Sequence, residues 1–279
     1  FDGQKFKVFR NEIQDINSLG NNSVQTLFEN DDRNIWVGTS SGIYIYSRAN
    51  NNFKYFDKKT EYDVPISSEV KKIIKTQKGQ IWIATLGQGI FIYDPQTGIL
   101  KQNSQYSSFV WDISEDKMHR IYSSSLQEGL ICFDQNGNQI ETFTSFINQR
   151  DLSNLKISCI QNIEDKIWFS VGTNNLCVLD SKTKNIISYN SEEQNIGTIR
   201  AIEEYSDKEL LIGSDNGLYL FKIFEGRFVR VDDPLDPRSL SDQSIYAILK
   251  DAEGGIWIST YLGGINYLAQ QTKVFEYYY

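Results

Sequence analysis

The sequence is poor in the residues that build metal centres and disulfide frameworks. Its 279 residues include three cysteines and one histidine. Cys132, Cys159 and Cys177 are odd in number and lie in apolar stretches, so we expect buried, free thiols rather than disulfides or metal ligands. His119 stands in a polar stretch that predicts a solvated turn, without the neighbouring partners of a metal site or a Ser-His-Asp triad. We therefore predict no metal site, no cofactor and no catalytic residues.

Long apolar runs and an excess of positive charge are also missing. No run approaches the roughly 20 residues of a membrane-spanning helix, so we expect no direct membrane insertion. The formal net charge of -8 argues against nucleic acid or an anionic membrane surface as the main partner. Hydrophobic residues make up 40% of the chain, which predicts a folded core. The start at Phe1-Asp2-Gly3 is abrupt, and we expect a fragment of a longer protein.

One motif occurs six times along the chain. Each copy has a bulky anchor residue and, two positions later, a small residue. The anchors are Trp36, Trp82, Tyr122, Trp168, Leu211 and Trp257, and the small residues are Gly38, Ala84, Ser124, Ser170, Gly213 and Ser259. The anchors are 46, 40, 46, 43 and 46 residues apart, a period that fits a four-stranded propeller blade. A large ring followed by a small side chain on the same strand face predicts close stacking of neighbouring sheets.

Each anchor strand is flanked by three further predicted strands. A shorter strand with apolar residues three positions apart, such as Val70 and Ile73, precedes it, and an apolar strand and an amphipathic outer strand follow it. Glycine opens most of the apolar strands, and we expect Asn175 to take the same left-handed conformation in the fourth copy. The pattern predicts an all-β fold, a β-propeller with almost no helix. The predicted blades of this single domain cover 11–57, 58–103, 104–145, 146–190, 191–231 and 232–279, and 1–10 predict the outer strand of a partial blade.

The motifs at 35–46 and 255–268, with the loops at 16–19 and 236–241 before them, resemble the two-component regulator propeller repeat. The resemblance extends over nearly the whole chain, although Tyr122 and Leu211 replace the Trp of the repeat. It implies the N-terminal propeller of the periplasmic sensor region of a hybrid two-component histidine kinase, a class that controls polysaccharide use in gut bacteria. It also implies a seven-bladed ring in the parent, whose second propeller and β-sandwich domain would be partners. A homodimer is compatible with it, and kinase activity would belong to the parent and not to this segment.

A ligand site is expected where the loops before the first strand and between the second and third strands share one face of a propeller. The residue after the first apolar position of each first strand varies strongly, and these residues form the candidate pore ring: Gln25, Lys71, Trp111, Ser158, Arg200 and Tyr246. Aromatic faces beside Arg and Lys suit an oligosaccharide, especially an acidic or sulfated one. The second set of loops adds weaker candidates: Gln88, Gln127, Asn174, Asp215, Asn216 and Tyr261. Each set also has a simpler explanation. The residues of the first set would only seal the ring, and the Asn and Asp residues of the second set are typical of turns.

Three functions are therefore considered. The first is ligand sensing, in which the propeller recognises an oligosaccharide or relays its presence to neighbouring domains. The second is a non-catalytic scaffold that uses exposed aromatics of the outer strands, such as Tyr277-Tyr278-Tyr279, for protein contact. The third is a propeller lyase, which would need a histidine base and a metal-binding acid near the pore, whereas His119 is predicted on the opposite face.

Overall fold

The computed structural model describes residues 7–103, 107–125, 128–144, 155–236, 239–269 and 275–278. Within these ranges the regular structure is 24 β-strands and a single 3-10 turn, Glu192–Gln194. The strands form six four-stranded antiparallel sheets, and in each sheet the strands follow one another in chain order. The predictions of an all-β fold and of almost no helix are confirmed.

Sheets 1, 2 and 3 belong to the first of two compact units, apart from residues 116–118, 128–130 and 142–143, which group with the second. Sheet 1 contains β1 (Val24–Glu29), β2 (Ile35–Thr39), β3 (Gly42–Ser47) and β4 (Asn52–Tyr55). Sheet 2 contains β5 (Glu69–Lys75), β6 (Ile81–Leu86), β7 (Gly89–Asp94) and β8 (Ile99–Asn103). Sheet 3 contains β9 (Val110–Glu115), β10 (Ile121–Ser125), β11 (Gly129–Phe133) and β12 (Gln139–Phe143). Within this unit the first strands of successive sheets are neighbours.

Sheets 4, 5 and 6 belong to the second compact unit. Sheet 4 contains β13 (Ile160–Ile163), β14 (Lys166–Ser170), β15 (Asn175–Asp180) and β16 (Ile186–Asn190). Sheet 5 contains β17 (Ile199–Ser206), β18 (Glu209–Ser214), β19 (Gly217–Lys222) and β20 (Arg227–Arg230). Sheet 6 contains β21 (Ile245–Lys250), β22 (Ile256–Thr260), β23 (Gly264–Leu268) and β24 (Phe275–Tyr278).

A β-bulge near the start of the first strand explains why its apolar residues are three positions apart. In sheet 2, Val70 pairs with Thr85 and Lys72 with Ala84, so Lys71 is the extra residue of β5. The same shift leaves Gln25 extra in β1, Arg200 in β17 and Tyr246 in β21, and it occurs at 111–112 in β9. An extra residue shifts the alternation of side chains by one position, so the two apolar residues can face the same side. A bulge also turns its own side chain away from the regular ladder.

Sheet 4 departs from this pattern. Its first strand begins at Ile160 instead of near Ile157, so the candidate Ser158 precedes the strand. The hydroxyl of Ser170 accepts hydrogen bonds from the backbone N–H groups of Ser158 (3.0 Å) and Cys159 (3.2 Å). A side chain therefore satisfies backbone donors that are close to the start of the ladder.

The small residue of the motif lies where the next sheet packs most closely. A Cβ atom added at Gly38 would come within 2.8 Å of a Val70 methyl group, and one added at Gly213 within 2.6 Å of an Ile245 methyl group. Two anchors fill further interfaces of this kind: Trp82 of sheet 2 lies 6.1 Å from the ring of Phe133 in sheet 3, and Trp168 of sheet 4 lies 5.7 Å from that of Phe221 in sheet 5. Both tryptophans are almost completely buried. The predicted stacking of a large ring and a small residue between sheets is confirmed at these positions.

The leading face of sheet 1 is exposed. Val24 and Leu27 of β1 are 43% and 64% exposed, whereas the equivalent Val70 and Ile73 of β5 are 0% and 4% exposed. Sheet 1 covers the leading face of sheet 2, as the contact of Val70 with Gly38 shows.

One local prediction was wrong. The left-handed residue before the third strand of sheet 4 is Asn174 (φ 61°) and not Asn175, because this turn places its positive φ one residue earlier than the glycine turns do. Residues 7–10 form no strand, and the rest of the predicted N-terminal outer strand lies outside the described residues, so that strand stays a prediction. Phe9 instead packs its ring against Tyr46 and Phe53 of sheet 1, at 4.9 and 5.3 Å.

The three cysteines are buried thiols, as predicted. Burial raises the pKa of the Cys177 thiol to about 12, and a hydrogen bond with Ser188 only partly offsets this effect. A thiol with so high a pKa stays protonated and unreactive at neutral pH. Among the described residues, no helix has the length and apolar character needed to cross a membrane.

Candidate functional site

The candidate residues lie where the loop before a first strand meets the turn between the second and third strands. Gln88, in the turn of sheet 2, accepts hydrogen bonds through Oε1 from the backbone N–H groups of Ser67 and Ser68, both at 2.9 Å. Its amide nitrogen donates to the carbonyl oxygen of Pro65 at 2.9 Å. The two sets of loops therefore share one end of the sheet, as the sequence predicted. The bulges are at the same end of the first strands.

In the first unit, the bulge residues form a chain of contacts that we call the Lys71 cluster, composed of Gln25, Glu69, Lys71 and Trp111. The ammonium group of Lys71 donates hydrogen bonds to Gln25 Oε1 and Glu69 Oε1, both at 3.0 Å. It also lies 5.2 Å from the centroid of the Trp111 ring, within the range of a cation–π contact. The side chain of Lys71 is only 20% exposed. The ammonium group of Lys71 is therefore largely occupied by contacts within the protein.

In the second unit, a related group forms the Arg200 cluster, composed of Arg200, Asp215, Tyr246 and Tyr261. Arg200 donates from Nε to Asp215 Oδ1 at 2.5 Å, and its guanidinium carbon lies 4.6 Å from the centroid of the Tyr246 ring. The rings of Tyr246 and Tyr261 stack at 5.5 Å with an interplanar angle of 18°. Among the described residues, the two terminal nitrogens of Arg200 make no hydrogen bond to the protein. These donors are directed by the Asp215 contact and remain available to a ligand.

Asp215 is held as a carboxylate. Partial burial raises the pKa of its carboxyl group, but the hydrogen bonds from Arg200 and Thr198 and the charge of Arg200 outweigh this effect and lower the pKa below its ordinary value. The ion pair therefore persists at neutral pH. It fixes the orientation of a side chain that would otherwise be mobile.

Ser158, the remaining member of the predicted ring, offers less. Its side-chain oxygen is buried, and it has no hydrogen-bond partner among the described residues. Its backbone N–H donates a hydrogen bond to the hydroxyl of Ser170. The position has no charge or aromatic face, so it adds little recognition chemistry to the second unit.

Most of the weaker candidates support the loops. Gln88 binds three backbone groups, Asn174 accepts from the N–H of Gly197 at 2.7 Å, and Asn216 donates to the carbonyl oxygen of Asn195 at 2.7 Å. These contacts use the polar atoms that a ligand would need, as the alternative of turn chemistry predicted. Gln127 lies outside the described residues. Asp215 and Tyr261 are the two weaker candidates that the structure brings together with members of the predicted ring.

Sequence reasoning missed Glu69, the carboxylate partner of Lys71. The signal was available, because Glu69 lies two positions before Lys71, a separation at which residues of a strand share a face. The bulge was missed for a different reason. The three-residue apolar step was recognised, but it was read as strand alternation alone.

His119 lies in the turn between β9 and β10, at the opposite end of these strands from the bulges, as predicted. It has a left-handed backbone (φ 61°), and its Nδ1 atom is 3.4 Å from Glu115 Oε1. The side chain is 38% exposed. It therefore lies apart from Lys71 and Trp111 of its own unit. The described residues contain no group of three or more His, Cys, Asp or Glu side chains that could hold a metal ion.

Six successive four-stranded antiparallel sheets with sheet-to-sheet packing of the anchor residues define a β-propeller. Two segments of the chain, residues 18–41 and 239–262, match the sequence model of the two-component regulator propeller family. They contain the copies in sheets 1 and 6 from which the resemblance was first inferred. No curated protein matches the chain significantly.

Solved structures show the same fold at low sequence identity. The chain is 22% identical to the extracellular domain of the putative hybrid two component system BT3049 from B. thetaiotaomicron, with a TM-score of 0.57 over 98% of this chain and 42% of that one. It is 20% identical to the extracellular domain of the putative one component system BT4673 from B. thetaiotaomicron, with a TM-score of 0.64 over 91% of this chain and 39% of that one. The chain thus spans about two fifths of the length of these two relatives.

A third structure, U3-55K, is 15% identical, with a TM-score of 0.65 over 88% of this chain and 76% of that one. Its likeness is as high as that of the two-component proteins. The likeness to solved structures therefore shows the propeller fold, whereas the evidence that points to the two-component class comes from the two matched repeats.

Proposed function

We propose that this propeller is an extracytoplasmic, ligand-sensing part of a two-component signal transduction sensor, and that it recognises an oligosaccharide derived from a polysaccharide. The observation that carries the proposal is the Arg200 cluster. An arginine is oriented by a carboxylate, its terminal donors are unused among the described residues, and exposed tyrosine rings lie beside it. Donors next to aromatic faces are the groups that bind sugar hydroxyls and the apolar faces of sugar rings.

The class and location of the parent protein are supported by the comparisons. Two repeats match a family that is described as a two-component regulator propeller, and two similar structures are described as extracellular domains. We therefore propose a periplasmic position and a parent that is a histidine kinase. This propeller would be a binding module without catalytic activity, since its clusters contain neither a histidine nor a group of metal ligands among the described residues.

The test is titration of the 279-residue chain with neutral and acidic oligosaccharides by isothermal titration calorimetry, comparing the wild type with Arg200→Ala. Loss of a hydrogen bond from a charged donor should weaken binding by roughly 1.5–3 kcal/mol. Arg227→Ala is the matched control. Arg227 also pairs with a carboxylate in sheet 5, but it belongs to β20, the strand after the turn that contains Glu225, and not to the Arg200 cluster. Failure of every sugar to bind, or an equal loss in both variants, would contradict the proposal.

A protein-contact scaffold remains the second candidate, and the exposed leading face of sheet 1 favours it. The aromatic side chains first considered for this role, those of Tyr277, Tyr278 and Tyr279, lie outside the described side chains. Val24 and Leu27 instead present an apolar surface whose equivalent in sheet 2 is covered by a neighbouring sheet. We propose that the partner of this face is a further four-stranded blade with a small residue at the position of Gly38, which accords with a seven-bladed ring in the parent.

This second proposal has a separate readout. Val24→Asp and Leu27→Asp should leave the folded chain intact, since both side chains are already exposed, but should block binding of a separately supplied blade in pull-down experiments. The blade used would be residues 58–103 of this chain, fused to a soluble carrier. Undiminished binding to the double variant would contradict the role of this face. The adjacent propeller, the β-sandwich domain and a homodimer stay predictions from the resemblance.

A further inference from the structure

The balance of charge in the two clusters bears on the kind of sugar that the propeller binds. Each cation among the bulge residues has its own carboxylate, Glu69 at 3.0 Å for Lys71 and Asp215 at 2.5 Å for Arg200. We infer that the Arg200 cluster selects neutral oligosaccharides and rejects those that carry uronate or sulfate groups. This inference rests on the proposed function, and it departs from the expectation of an acidic ligand that residue types alone suggested.

The first argument is electrostatic. Arg200 and Asp215 together carry no net charge, and neither do Lys71 and Glu69, while the whole chain has a formal net charge of -8. An anionic group that approached the terminal nitrogens of Arg200 would also approach the Asp215 carboxylate. Like charges placed together across an interface oppose binding and discriminate against the wrong partner. The overall negative charge adds a weaker repulsion at longer range.

The second argument concerns the groups that remain for a ligand. The terminal nitrogens of Arg200 can donate, and the Asp215 carboxylate has further lone pairs beside its bonds to Arg200 and Thr198. A sugar hydroxyl donates one hydrogen bond and accepts others, so an adjacent donor and acceptor match a pair of neighbouring hydroxyls. A sulfate or carboxylate only accepts, and it would leave Asp215 unmatched.

The third argument identifies the stacking surface. Arg200 lies over the Tyr246 ring, and Tyr261 stacks on that ring as well, so contacts within the protein occupy much of Tyr246. Tyr261 is 63% exposed, against 47% for Tyr246. Tyr261 is therefore the better platform for the apolar face of a sugar ring, although the sequence had ranked Tyr246 above it.

The experiment measures selectivity of the 279-residue chain with two sets of probes in calorimetry. The neutral probes are hexaoses of glucose, xylose and mannose, and the acidic probes are hexagalacturonate and a sulfated hexasaccharide prepared from heparin. We expect at least one neutral probe to bind about tenfold more tightly than either acidic probe, which corresponds to about 1.4 kcal/mol. Asp215→Asn removes the charge but keeps an amide oxygen as an acceptor. It should reduce the difference in affinity between neutral and acidic probes about fivefold.

Asp165→Asn is the matched control. Asp165 also forms an ion pair in the second unit, with Lys182 at 2.7 Å, but it lies in the turn between β13 and β14, at the end of sheet 4 opposite the turn that contains Asn174. Asp165→Asn changes the net charge by the same amount as Asp215→Asn, and it should leave the selectivity for neutral over acidic probes unchanged. A second readout needs no variant, because added salt should narrow the wild-type selectivity if repulsion causes it.

The outcomes separate this inference from the proposed function. Tighter binding of an acidic probe would overturn the inference while the proposed function stands. Equal narrowing by Asp165→Asn and Asp215→Asn would also overturn it, because net charge and not the cluster would then decide. Binding of no probe by the wild type would overturn the proposed function and the inference with it. Neutral selectivity that Asp215→Asn alone reduces would support both.

Discussion

The interfaces between sheets and the bulges on the first strands belong to the same repeat, yet they differ in uniformity. At the interfaces, Val70 and Ile245 occupy equivalent positions and pack against glycines of the preceding sheets. One residue later, the bulge positions of the same strands hold Lys71 and Tyr246, a cation and an aromatic ring. Close packing between sheets tolerates only side chains of a particular size and shape, whereas a bulge beside solvent tolerates almost any side chain. The interfaces therefore maintain the fold, and the bulges are where binding chemistry can vary.

The two units show how far this variation reaches. Lys71 is surrounded by Gln25, Glu69 and Trp111 and has little surface left. Arg200 has one carboxylate partner and retains its terminal donors. At the same position of the repeat, the cation of the first unit is thus occupied by protein groups, whereas that of the second unit keeps hydrogen-bond donors for a ligand. The predictions below separate positions that hold the fold from positions that meet a ligand.

The largest expected effect is at an interface. Trp168→Ala should lower the free energy of unfolding by roughly 3–5 kcal/mol, because truncation of a buried ring leaves a cavity between sheets 4 and 5. Denaturant titration followed by circular dichroism would measure it. Trp257→Ala is the control, since the equivalent ring in sheet 6 is only partly buried and its loss should cost at least about 1 kcal/mol less. Equal losses at both positions would contradict the importance of sheet-to-sheet burial.

A smaller effect is expected at a loop-supporting position. Gln88→Ala should destabilise the chain by about 1–3 kcal/mol, because the backbone N–H groups of Ser67 and Ser68 lose their shared acceptor. The affinity of any ligand bound by the Arg200 cluster should not change, since Gln88 belongs to the first unit. Tyr261→Ala should give the reverse result, with weaker ligand binding and almost unchanged stability. A Gln88 variant of normal stability would show that the turn does not need this support.

The smallest effect is the pH dependence of the Arg200–Asp215 pair. The pKa of Asp215 is below its ordinary value of 3.8 in the folded state, so its contribution to stability is present above that value and is lost as the pH falls through the folded pKa. Because both side chains are partly exposed, we expect less than about 1 kcal/mol. Denaturant titrations between pH 5 and pH 2 should give a flatter profile for Asp215→Asn than for the wild type. Arg200→Gln should flatten it as well, and an unchanged profile in both would show that the pair adds nothing to stability.

The sequence alone was enough to predict the class of fold. Six copies of a large and a small residue at a nearly constant spacing identified the second strands of all six sheets. This succeeds because packing between sheets is repeated along the chain, so each copy supports the interpretation of the others. The one error, at Asn175, concerns a turn, where a local backbone choice is not constrained by the repeat.

The sequence also supplied the positions of the candidate site, but only the tertiary structure decided what each position can do. Strand periodicity marked Lys71 and Arg200 as equivalent, and nothing local distinguished them. Their partners come from other parts of the chain: Gln25 and Trp111 for Lys71, and Asp215 and Tyr246 for Arg200. Whether a cation is satisfied or open depends on these contacts between neighbouring sheets and loops. Such contacts are set by the packing of separate repeats in space, which no single repeat encodes.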